Sequence, residues 1–118
     1  VTQLTSTTEE VMQQQILISE TLPNTVLKYA QLTKEAGLDG IVCSALETKE
    51  IHDKLGEDFI TCTPGIRQAS DSLDDQKRVV TPTKAKELGS NYIVVGRSIT
   101  KSVHPVATYR QIKEEFLG

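Results

Sequence analysis

Short apolar runs alternate along this chain with segments whose apolar positions recur at helical spacing, a pattern that predicts β-α units. The runs are Val1-Thr2-Gln3-Leu4-Thr5, Gly40-Ile41-Val42-Cys43, Phe59-Ile60-Thr61-Cys62 and Tyr92-Ile93-Val94-Val95. Helices are expected over about residues 8–15, 24–36, 47–55, 82–88 and 106–116, giving four β-α units and a parallel sheet. Gly37, Gly56 and Gly89 stand where helices should stop before a strand, and Pro82 follows Thr81 at a first helical turn. The connection from Gln68 to Val80 is longer than usual, polar and rich in aspartate. Lying after a strand, it is expected to be a working loop that closes over a ligand.

Two parallel architectures fit such units. An open doubly wound sheet with a dinucleotide is disfavoured, because no G-x-G-x-x-G follows a strand and no acidic residue stands where a ribose diol would be held. The other is half of a (β/α)8 barrel, whose phosphate site is commonly built by the loops after strands seven and eight. A half-barrel leaves its end strands unpaired and its interior face open. The chain starts inside a predicted strand at Val1 without an initiator methionine, so an amino-terminal portion is expected to have been removed or left out.

Composition narrows the class further. At 118 residues there is room for one small domain, and 13 Lys and Arg against 16 Asp and Glu give a net charge of −3. That balance argues against nucleic acid as the partner, while a local arginine site suffices for a small phosphate. No apolar run approaches eighteen residues and no leader or lipidation signal is present, so no membrane partner and a cytoplasmic location are expected. Cys43 and Cys62 each end an apolar run, where a thiol is ordinarily a small buried hydrophobe; a disulfide would require their strands to be neighbours. His52 and His104 are too far apart for a ligand motif and are expected to be solvated or capping, so no metal is expected.

The candidate chemistry lies in two strand endings, Thr63-Pro64-Gly65-Ile66-Arg67 and Tyr92-Ile93-Val94-Val95-Gly96-Arg97-Ser98. Each passes from an apolar run into glycine and arginine. Open backbone N–H groups, an adjoining helix start and a guanidinium fork together suit a phosphate monoester. A phosphorylated metabolite is the expected ligand.

Across essentially its whole length the chain resembles the carboxyl-terminal half of bacterial orotidine 5′-monophosphate decarboxylases. The resembling blocks are Val1-Thr2-Gln3-Leu4-Thr5-Ser6, Gly37-Leu38-Asp39-Gly40-Ile41-Val42-Cys43-Ser44, the Thr63 to Arg67 block, the Tyr92 to Thr100 block, and Asp74-Asp75-Gln76-Lys77-Arg78 in the long loop. The resemblance implies a (β/α)8 TIM barrel of which this chain covers about strands five to eight with their helices. Residues 1–118 would form the carboxyl-terminal half of that single domain.

It also implies the reaction, loss of CO2 from C6 of orotidine 5′-monophosphate to give UMP in pyrimidine biosynthesis, with no cofactor and in a homodimer. By position, Thr5 would lie at the pyrimidine and Gln76 would reach from the loop to bridge phosphate and base. Arg67 would contact the ligand at the loop's base, and Gly96 and Arg97 would grip the phosphate through backbone and fork. The family's catalytic D-x-K-x-x-D motif, one aspartate of which comes from the partner subunit, is absent. Asp75-Gln76-Lys77 begins like it, but Val80 stands at the last position, and Lys77 reads as a solvated charge. The resemblance therefore places no catalytic residue in this chain, which alone is expected to be inactive.

Overall fold

The computed structural model describes residues 1–71 and 78–118. Strands β1 (Gly40–Val42), β2 (Ile60–Thr63) and β3 (Tyr92–Ile93) form a parallel sheet in the order β1-β2-β3. Helices α1 (Glu9–Gln14) and α2 (Leu22–Glu35) precede β1, and a 3-10 turn (Ala45–Glu47) with α3 (Thr48–Leu55) joins β1 to β2. Helix α4 (Pro82–Glu87) leads into β3, and α5 (Arg97–Thr100) and α6 (Pro105–Leu117) follow it.

The helix boundaries follow the sequence punctuation. The hydroxyls of Thr8, Thr21 and Thr81 accept from Val11, Asn24 and Lys84 N–H groups at 3.2, 3.3 and 3.2 Å, satisfying donors that a helix start leaves free. Because Thr21 caps α2 and Pro23 fits its first turn, that helix begins earlier than the expected residue 24. Gly37, Gly56 and Gly89 have φ of 88°, 101° and 89°, the left-handed exits expected of them.

Register and burial decide the architecture. Val42 pairs with Cys62 and Cys62 with Tyr92, so alternation places these three on one face, with Ile60 and Val94. On the opposite face Ile41 and Cys43 pack with Met12, Val26, Ile51 and Phe59. Ile93 and Val95 pack with Ala45, Ile66, Ala85 and Phe116. The helices thus cover one face, while on the other Ile60, Tyr92 and Val94 are 36%, 61% and 50% exposed. A doubly wound sheet carries helices on both faces; sequential strand order with helices on a single face is the wall of a β/α barrel.

Two expectations need correction. Residues 1–5 do not form a strand, although Thr2 meets β1, its N–H and hydroxyl donating to Val42 O at 3.0 and 3.2 Å. The apolar Val1 and Leu4 of that run are exposed while Thr2, Gln3 and Thr5 are buried, so the run lacks the alternation that would seat it in a ladder. His52 is neither solvated nor capping but buried at the end of α3, its Nε2 bonding Phe59 O at 3.0 Å and Asn91 Oδ1 at 3.1 Å. The cysteines are on neighbouring strands and, as expected, both are free. They are related by Cys43 N–H donating to Cys62 O, and alternation sends their side chains to opposite faces.

Among the described residues no helix is long and apolar enough to cross a membrane, and no group of three or more His, Cys, Asp or Glu is placed to hold a metal.

Candidate functional site

The two strand endings singled out by the sequence emerge side by side at the carboxyl ends of β2 and β3. Past β2 the chain turns at Gly65, with φ of 79°, and here only glycine fits. A Cβ at this position would lie 2.9 Å from Arg78 O and 3.2 Å from the Thr5 methyl. The segment that returns from the long loop runs beside this ending. Val80 N–H donates to Gly65 O, Arg67 N–H donates to Val80 O, each at 3.0 Å, and Ile66 and Val80 form a parallel bridge.

Arg67 is therefore held at the loop's base, with 7% of its surface exposed. One guanidinium nitrogen donates to Ile66 O at 3.1 Å, while its Nε is buried and has no hydrogen-bond partner among the described residues. A buried guanidinium donor without an acceptor is costly and suits a site that receives an anion.

Past β3, Gly96 precedes the short helix α5, which the sequence reading did not anticipate, and Arg97 is its first residue. Gly96 O accepts from the N–H groups of Ile99 and Thr100 at 2.9 and 3.0 Å, and a Cβ on Gly96 would meet nothing within 4 Å. The backbone there is open to close approach. Arg97 is half-buried. Asp71 ties the two endings together: its carboxylate accepts from Gln68 N–H at 2.8 Å and from the hydroxyl of Ser98 on α5.

Thr5 is 6% exposed. It borders a cleft of about 370 Å³ lined also by Gln3, Ser6, Val42, Cys43 and Pro64. A larger cleft, about 620 Å³, lies elsewhere, between β3 and α6, and is lined by Tyr92, Val94, Tyr109, Phe116 and Leu117. It runs along the free edge of the sheet and reaches Val95 and Ile99 on either side of Gly96.

Beneath Thr5 lies a buried ion pair that sequence reasoning missed. Arg78 bonds the Glu47 carboxylate, and the two side chains are each 11% exposed. Arg78 also donates to Gln3 O at 3.0 Å and Leu4 O at 2.8 Å, and its backbone N–H donates to Thr5 O at 3.1 Å. Glu47 is fixed in turn by a capping box in which Ser44 N–H donates to its carboxylate at 3.0 Å. Burial lifts the Glu47 carboxyl above the ordinary glutamate value, and attraction to Arg78 and the Ser44 bond offset this only in part. The S-x-x-E spacing of Ser44 and Glu47 was the available signal. Nothing local in the sequence couples it to Arg78.

The structure thus sets Thr5 against Gly65, with Arg67 two residues further along the same ending, and Gly96 and Arg97 past the adjacent strand. Gln76, Lys77 and the aspartates before them lie outside the described residues.

These features define a β/α-barrel chain with a cationic, glycine-lined site at its strand ends. The chain belongs to the orotidine 5′-phosphate decarboxylase / HUMPS family, whose model matches residues 1–112. It is 55% identical over its full length to the orotidine 5′-phosphate decarboxylase of Bacillus cereus (strain AH187), and equally to that of Bacillus cytotoxicus. It spans about half the length of these curated relatives, 50% of each. Among solved structures, the orotidine 5′-phosphate decarboxylase of Lactobacillus acidophilus superimposes with a TM-score of 0.81 at 41% identity, over 99% of this chain and 47% of that one. An uncharacterized conserved protein from Geobacillus kaustophilus gives 0.75 at 43% identity, over 98% and 46%.

Proposed function

We propose that this chain is the carboxyl-terminal half of one (β/α)8 barrel, and that the complete protein decarboxylates orotidine 5′-monophosphate to UMP in pyrimidine biosynthesis. In this reading Gly96 and Arg97 grip the 5′-phosphate, one through an unobstructed backbone and the other through its fork. Arg67 contacts the nucleotide at the base of the connecting loop, Gln76 reaches it from that loop as the loop closes, and Thr5 meets the pyrimidine. The observation that carries it is Arg67, a buried cation with an unpartnered Nε at a barrel strand's carboxyl end, where such enzymes build their sites. The exposed face of Ile60, Tyr92 and Val94 fits a barrel interior that the other half closes.

The chemical centre, a lysine between aspartates, would then belong to the other half, with one aspartate crossing from the partner in a cytoplasmic homodimer. A lysine there would stabilise charge developing at C6 and deliver the proton, while the residues of this chain supply binding energy from the remote phosphate. This chain by itself would bind and not turn over.

The test is an intact mass and a turnover assay of the native protein. A mass near twice 13.0 kDa together with loss of orotidine 5′-monophosphate is the expected result. A complete protein that binds ribulose phosphates and ignores UMP would overturn the reading in favour of another sugar-phosphate barrel.

A further inference from the structure

Arg78 stands where three segments of the site meet. Its guanidinium and backbone N–H together take the carbonyls of three consecutive residues, Gln3, Leu4 and Thr5. Its own carbonyl lies against Gly65, where a Cβ would come within 2.9 Å. Glu47 holds the guanidinium from the other side and is itself pinned by Ser44 N–H, just past β1. Residues 1–5 have no strand ladder, and Thr2 bonds Val42 of β1. A segment without a ladder needs another device to set its peptide planes, and a planar fork on successive carbonyls does so.

We infer that Arg78, braced by Glu47, is a positioning residue that presents Thr5 to the pyrimidine, and so sets affinity for the base half of the nucleotide and not for its phosphate half. The inference rests on the proposed role of Thr5. Arg78 touches no ligand in this scheme; it acts through the backbone of residues 3–5. The phosphate half is served by Gly96 and Arg97, beyond β3.

Two ligands separate these halves: UMP, which carries base and phosphate, and ribose 5-phosphate, which lacks the base. In the complete protein, calorimetric titration of Arg78→Met should show UMP bound roughly tenfold more weakly, the loss of about one net hydrogen bond's worth of ordering, with ribose 5-phosphate binding unchanged. Arg78→Met also leaves Glu47 buried without its cation, so its denaturation midpoint should fall. The double variant Glu47→Gln/Arg78→Met removes both charges and should recover the midpoint while UMP binding stays weak. Arg78→Lys, which keeps the charge and loses the fork, should weaken UMP binding as well.

Recovery of UMP affinity along with stability in the double variant would overturn the inference, as would parallel weakening of both ligands in Arg78→Met. Wild-type protein that binds ribose 5-phosphate and not UMP would instead remove the functional reading on which it rests, a result distinguishable from either of the others.

Discussion

The side-chain oxygen of Asn91 accepts from the backbone N–H of Thr61 at 2.9 Å, joining the start of β3 to β2 at the end of the sheet opposite the site. The Thr61 hydroxyl donates to the same oxygen at 3.1 Å, and His52 Nε2 lies at 3.1 Å from it. With Phe59 O and Asn91 Oδ1 both acceptors, Nε2 carries the proton. One asparagine thereby satisfies a helix histidine, a strand amide and a buried threonine.

Asn91→Ala should accordingly destabilise the complete protein by about 1–3 kcal/mol, because three buried donors lose an acceptor. Asn91→Asp retains the acceptor oxygen and should cost less. Denaturant midpoints measure both. Activity per folded molecule should hold, since the cluster is remote from the strand carboxyl ends; equal midpoints for Asn91→Ala and wild type would show that the cluster contributes nothing.

Under the proposed function, Arg97→Ala in the complete protein should lower kcat/KM on orotidine 5′-monophosphate by about 2–4 kcal/mol of transition-state binding, the loss of the charge-assisted phosphate contact proposed for it. Steady-state kinetics on folded variant protein checks this. Unchanged turnover would remove Arg97 from the phosphate site.

Gly65→Ala meets two obstacles at once. The backbone φ of 79° disfavours any side chain, and the added carbon would press on Arg78 O and the Thr5 methyl. A loss of more than about 1 kcal/mol is expected, with weaker UMP binding because Thr5 is displaced. Thermal melting and titration of the same preparation read both effects.

The Glu47 carboxyl carries a pH signature. Its folded-state value is raised, so between the ordinary glutamate value and that raised value the folded protein keeps a proton that the unfolded chain has released. Stability from this group is full below that window and falls as pH rises through it. Melting temperatures taken between about pH 4 and pH 7 should therefore show a component of decline that Glu47→Gln abolishes. Identical profiles for the two proteins would contradict the assignment.

Cys43 should be inert. Burial pushes its thiol up to about 12, so almost no thiolate exists at neutral pH. Iodoacetamide treatment of native protein followed by peptide mapping should leave Cys43 unmodified until the protein unfolds. Native-state labelling at neutral pH would show that the side chain is more accessible than its burial implies.

The local sequence determined a good deal about this protein. Threonine before a helical run, proline in a first turn and glycine after the last turn act within a few residues, and α2, α3, α4 and α6 lie close to where those signals put them. The strand endings at Gly65 and Gly96, each followed by arginine within two residues, were legible for the same reason: they are continuous in the chain. Tertiary structure decided what distance in sequence conceals. Residues 1–5 look like a strand, but pairing is settled by a neighbour's register, and these residues bond to β1 at Thr2 without forming a ladder. His52 looks solvent-bound on a charged helix until the loop before β3 delivers Asn91 to it. Arg78 and Glu47 stand thirty-one positions apart, and whether a charge is solvated or buried against its opposite depends on which segments the fold brings into contact.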